Sequence, residues 1–310
     1  MEVDIAIRTI VPIFLLIGLG FLSRKVRILK AGDERILSAY VYYFALPALL
    51  LVDLAKINFN EENLRFILAG ITPILIVVTV YSIAYLIFRF SKETFYLLIL
   101  STVFGSLAFF GIPFIMFAFP EEGETFATLS VASISVVSVA ISITVLELYK
   151  LGESTIREGL KHVTKKLSKN PLILSILFGI ILALSGIEIP QPISTSLHML
   201  GSTTSTVAIF MLGVFLYGRK YTNLAKAFKL SLLRMVFLPL IAVLIATLLD
   251  VKNVARSTLV IMHAVPVAIS MIVLSERYDF HKETIASLIL ISSLGAGLYL
   301  NLWLLFLGYY

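Results

Sequence analysis

Ten long apolar runs follow one another along the chain, at about residues 5–23, 36–55, 66–88, 94–119, 125–148, 171–189, 197–217, 230–249, 254–275 and 284–308. A helix that crosses a bilayer needs about 20 mostly apolar residues, and these runs meet that length. They are too long for strands and lack the in–out alternation of a membrane barrel. The pattern predicts an all-α membrane protein with ten transmembrane helices.

The polar connections add topology. Lys and Arg crowd every second connection: Arg24 to Arg35, Arg89 and Lys92, Lys150 to Lys169, Arg219 to Lys229, and Arg277 with Lys282. These hold 19 of the 25 basic residues, the opposite connections hold five, and Arg234 lies inside the eighth run. The positive-inside rule puts the crowded side in the cytoplasm and both termini on the non-cytoplasmic side. Five spans per half make the halves run in opposite directions. The expected organisation is two inverted five-helix repeats, 1–149 and 170–310, joined by a cytoplasmic linker, 150–169.

Composition narrows the class. Hydrophobic residues are 59% and charged residues 14% of 310 positions, against about 25% charged in soluble domains. The net charge of +6 follows the topology and forms no single patch, so no nucleic-acid partner is expected. The absence of cysteine excludes disulfides, thiolate metal sites and thiol catalysis. The start, Met-Glu-Val-Asp, lacks a basic segment, so the first run is expected to be a retained span, not a signal peptide.

Candidate chemistry lies where polar, Gly or Pro residues interrupt apolar runs, because hydrocarbon penalises unpaired polar groups. The fourth run reads STVFGSLAFFGIPFIMF, with Gly105, Ser106, Gly111 and Pro113. The ninth reads STLVIMHAVPVAISMIVLSERY, with His263, Pro266 and Ser270. Proline removes a donor and clashes with the preceding turn. Paired breaks at matching places of inverted halves point to a midplane site. His263 reads either as a proton relay or anion ligand, or as a neutral ring packed against a carbonyl. Arg234 is expected to snorkel to the cytoplasm, and Asp53 and Glu147 to reach water at span ends. The seventh run's GSTTST, with Thr203 and Ser205, lies opposite the second, with Tyr43; it reads as substrate path or as close helix packing. Serines of the fifth and tenth runs default to packing. No phosphate loop, HExxH, midplane carboxylate pair or potassium-filter sequence occurs, and no nucleophile–base pair points to an enzyme.

The quoted stretches resemble the auxin efflux carrier family, whose plant members are the PIN-FORMED proteins. FFGIPFIM in the fourth run and PVAISMIVLSERY in the ninth carry the likeness. So do PIFLLIGLG in the first, FALPALL in the second, the Asn-Pro opening of the sixth and LGVFLYG ending the seventh. The resemblance implies that spans 1, 2, 6 and 7 form a dimerising scaffold and spans 3–5 and 8–10 a mobile transport domain. Spans 4 and 9 would break and cross at Pro113 and Pro266, with an organic anion beside them. Family members often carry Asn where Ser106 and Ser270 stand, and plant members have a longer central loop.

These readings converge on a multi-pass cell-membrane carrier, active or facilitative, for small organic anions such as indole-3-acetate-like acids or dicarboxylates. Ser106, Gly111, Pro113, His263, Pro266 and Ser270 would form its site, with Gly105, Tyr43, Thr203 and Ser205 along the path. Its expected partners are the anion, the bilayer and a second copy. No cofactor and no metal are expected. The alternatives are a sodium-coupled bile-acid-type carrier and a membrane sensor that binds an anion without moving it.

Overall fold

The computed structural model describes residues 2–57, 60–151, 164–165, 168–218 and 220–309. Most of the expected linker, 150–169, lies outside the described residues. The described chain is helical: α1 (Glu2–Lys25), α2 (Asp33–Ala55), α3 (Glu61–Phe88), α4 (Lys92–Val103), α5 (Leu107–Ala118), α6 (Gly123–Leu151), α7 (Pro171–Ser185), α8 (Gln191–Leu216), α9 (Leu224–Leu248), α10 (Asn253–Ala264), α11 (Met271–Tyr278) and α12 (Lys282–Phe306). Seven of these, α1, α2, α3, α6, α8, α9 and α12, are long and apolar enough to cross a membrane.

Local sequence sets the ends. The side chains of Asn60, Ser91 and Asn170 cap α3, α4 and α7 by accepting from the amides of Asn63, Thr94 and Leu172. Pro171 sits in the first turn of α7, where its missing N–H costs nothing. Leu86, Phe178, Leu184, Leu244 and Leu298 stand exposed on outer helix faces. Such apolar exposure suits a lipid solvent.

Three prolines inside helices share one device. A five-residue π-helical turn directly precedes the α-segment containing Pro47, Pro113 and Pro239: Val41–Ala45, Leu107–Gly111 and Leu233–Phe237. The wider turn relieves the clash between the proline ring and the carbonyl four residues back. The helix axis therefore continues through each proline. Pro113 lies inside α5 and does not mark the break of the fourth run, which falls at Phe104–Ser106. In the ninth run the break spans Val265–Ser270 and contains Pro266.

The helices pack in two groups. α1 lies along α8, α7 lies along α2, and α2 joins α8. In the other group α3 and α10 both pack on α6 and on α9, and α12 packs on α9 and α11. The α1–α8 contact is backbone-close because a glycine on each helix faces the backbone of the other. A Cβ on Gly20 would stand 2.0 Å from the Phe210 carbonyl oxygen, and one on Gly213 would stand 2.0 Å from that of Ile17. On α7, a Cβ on Gly179 would come within 2.8 Å of Leu54 on α2.

Candidate functional site

The two helix breaks meet. Gly105 and Val267 form an antiparallel β-bridge, isolated among the described residues. The amide of Ser106 donates to the Pro266 carbonyl at 2.7 Å, and the amide of Ala268 donates to that of Phe104 at 3.0 Å. Unwound backbone inside a membrane protein must find such partners. Ser292 of α12 supplies another: its hydroxyl oxygen accepts from the Val267 amide at 3.1 Å. Packing is thus not its sole role.

Arg234 holds the breaks together. It is fully buried within the π-turn of α9, so the expectation that it snorkels to the cytoplasm is overturned. Its Nε donates to the Val265 carbonyl at 2.8 Å. Nη1 donates to Thr102 at 2.6 Å and to Val103 at 3.2 Å, and Nη2 donates to Met262 at 3.3 Å. These carbonyls belong to the C-terminal ends of α4 and α10, where the last turns leave acceptors unsatisfied. Each C-terminus carries roughly −0.5 of an elementary charge, so the two together nearly balance one guanidinium.

What remains of the helix-end field is positive. The N-termini of α5 and α11 start at the same crossing, with Ser106 and Ser270 as their respective N-cap residues. Neither serine makes a side-chain cap bond. The Ser106 hydroxyl is buried and has no hydrogen-bond partner. One unpartnered hydroxyl, that of Ser106, and a second that caps no amide, that of Ser270, therefore stand at the amide-rich ends of two half-helices, an arrangement suited to a carboxylate.

The other predicted positions divide. Gly105 belongs to the bridge, and a Cβ there would stand 1.6 Å from Arg234 Nη2. Gly111 lies against Met262, whose sulfur would be 2.6 Å from an added Cβ. His263 ends the last turn of α10, fully buried; neither ring nitrogen reaches a partner in good hydrogen-bond geometry, and the Gly70 backbone lies beside the ring. Tyr43 is 59% exposed on α2. Thr203 instead hydrogen-bonds Tyr40 at 2.8 Å, and the Ser205 hydroxyl faces the Met116 sulfur at 3.8 Å.

Both carboxylates expected at water are engaged in the protein. Glu147 is buried and accepts from the Tyr278 hydroxyl. Asp53 is half-buried and accepts from Thr128 at 2.8 Å. Asp53, Glu124 and His198 place one ligand atom each within 4.8 Å of one another, a mixed oxygen and nitrogen set of the type that holds a divalent cation. The sequence assigned no ligand role to them, because three different helices bring them together.

Comparison with known proteins fits this architecture. The sequence matches the family described as membrane transport protein over residues 5–304. It is 26% identical over 304 residues to the uncharacterized transporter MJ1031 of Methanocaldococcus jannaschii, covering 94% of this chain and 95% of that one. It is 25% identical over 303 residues to the uncharacterized transporter YfdV of Escherichia coli strain K12, covering 95% of each. The auxin efflux carrier resemblance read from the motifs is borne out, and the chain belongs to the membrane transport protein family.

Proposed function

We propose that this membrane transporter is a secondary active or facilitative carrier of small organic anions, with the paired breaks as its binding site. The observation that carries the reading is the pair of uncapped serines, Ser106 and Ser270, at the N-terminal ends of α5 and α11. With Arg234 balancing the opposite helix ends, the remaining field attracts an anion. One carboxylate would take hydrogen bonds from these hydroxyls and from first-turn amides, beside His263. Both indole-3-acetate-like acids and dicarboxylates satisfy that chemistry.

The packing supports an elevator mechanism. Counting each broken pair and α7 as one crossing gives ten spans in two inverted repeats, 1–149 and 170–310. The α1–α8 contact then matches the α7–α2 contact, and Gly20 and Gly179 take corresponding places. α1, α2, α7 and α8 form the scaffold, which pairs with a second copy. α3–α6 and α9–α12 carry the site and slide against it. By the positive-inside pattern of the connections, both termini would face the outside of the cell.

Uptake of labelled malate, malonate and indole-3-acetate into proteoliposomes tests it. Ser270→Ala should lower uptake of the accepted anion about tenfold, the value of roughly one lost hydrogen bond to a charged group, and Pro266→Ala should also lower it by letting the helix re-form across the break. Ser142→Ala should leave uptake unchanged, because that hydroxyl already bonds the Ser138 carbonyl within α6. Equal effects at all three positions would remove the crossover as the site.

A further inference from the structure

Four backbone carbonyl oxygens surround the Arg234 guanidinium at 2.6–3.3 Å: those of Thr102, Val103, Met262 and Val265. Two come from the end of α4 and two from the end of α10. Uncharged carbonyls at the C-termini of broken helices are the ligand type that binds sodium in carriers with discontinuous spans. Here a side chain of the same charge fills that ligand set. The fit depends on Gly105, since any Cβ there would overlap the guanidinium. The position is fully buried, so the charge is held by these contacts and not by water.

The local field at the α4 and α10 ends favours a cation. Two helix C-termini contribute roughly −1 charge in total, in surroundings where unbalanced charge is costly. A covalently attached guanidinium provides the balance here and cannot leave the protein during a transport cycle. An exchangeable ion would bind and leave with the substrate, coupling the two fluxes.

We propose that Arg234 is a built-in counter-cation occupying a latent monovalent-cation site. The crossing therefore needs no sodium from solution, and removing the guanidinium opens the carbonyl cage to an alkali cation. The consequence for coupling rests on the crossing being the transport site; the cation-binding claim does not.

The test is thermal unfolding of the full-length detergent-purified protein without substrate, in sodium, lithium, potassium or choline chloride at equal ionic strength. The wild type should unfold at the same temperature in all four. Arg234→Met should be less stable in choline and should regain stability saturably with sodium or lithium, by on the order of 5 °C. A saturable sodium response of the wild type would overturn the proposal. So would an Arg234→Met protein that folds yet responds to none of the alkali cations. Should that variant yield no folded protein, Arg234→Lys decides: its ammonium fills the cage, so it should fold and ignore sodium, and a sodium response would overturn the idea. A wild type that ignores sodium and also moves no anion would sink the carrier reading alone.

Discussion

Gly105 and Arg234 occupy one another's space: the guanidinium Nη2 lies where a side chain on Gly105 would begin, 1.6 Å from the ideal Cβ position. Glycine at 105 is thus a condition for the cation's presence at the crossing. Gly105→Ala should displace the guanidinium from the α4 and α10 carbonyls and lower stability by about 2 kcal/mol or more, at the upper end of overpacking costs. Gly18→Ala is the control, because a Cβ there meets nothing within 4 Å; its effect should be near zero. Chemical or thermal unfolding of both variants checks the pair, and equal losses would argue against a special role for the Gly105 contact.

Trp303, the only tryptophan, donates its indole N–H to the Met235 carbonyl at 2.8 Å. Met235 stands four residues before Pro239, which has no N–H to offer it. The indole therefore fills the vacancy that the proline creates beside Arg234. Trp303→Phe keeps an aromatic ring and removes the donor, leaving an unpaired carbonyl at a cost of about 1–3 kcal/mol. Pairing that change with Pro239→Ala should recover much of the loss, since an alanine amide can serve the carbonyl. Additive losses in the double variant would contradict the account.

His263 carries two ring nitrogens without a well-formed hydrogen bond in a fully buried position. If they serve the bound anion or its water, His263→Gln retains a donor and an acceptor and should transport within about threefold of wild type, while His263→Leu should lose about tenfold in affinity. The pH profile of the Gln variant should keep the wild-type shape. A flattened profile would instead assign His263 to proton transfer.

His281 gives a separate pH effect at the basic end of the molecule. Partial burial first, and Lys226 second, hold its pKa below the ordinary 6.5, with Glu93 opposing them. The unfolded chain therefore takes up this proton more readily. The stability this group contributes is present above about pH 6.5 and declines as pH falls through that value. Unfolding midpoints should drop between about pH 7.5 and 5.5, and His281→Gln should shrink the drop. An unchanged drop in the variant would mean other groups cause it.

How much of this was legible in the sequence follows from which forces are local. The apolar runs and the alternation of Lys and Arg reported helices and a sidedness pattern without tertiary knowledge. Pro266, Gly105 and Ser106 marked both breaks, because those residues weaken a helix wherever they stand. Pro113 misled, since the π-turn at Leu107–Gly111 absorbs it and the break falls earlier. The role of Arg234 was out of reach for a different reason. Its position suggested a side chain able to reach the cytoplasm, yet its partners at Thr102 and Val103 are more than 130 residues away in the chain. A charge inside an apolar run was the signal present, and it called for a named partner that only the fold supplies. The same holds for Trp303 with Met235, and for Asp53, Glu124 and His198.

Charge movement on purified protein in proteoliposomes, recorded on a solid-supported membrane, tests the central claim most directly. The challenge is indole-3-acetate, malate, malonate and a bile acid, each with and without sodium, alongside counterflow of the same labelled anions to detect electroneutral exchange. The account predicts saturable transport of one small organic anion, unchanged by sodium and greatly reduced in Ser106→Ala and Ser270→Ala. Transport that requires sodium, or that persists unaltered in both serine variants, would contradict it.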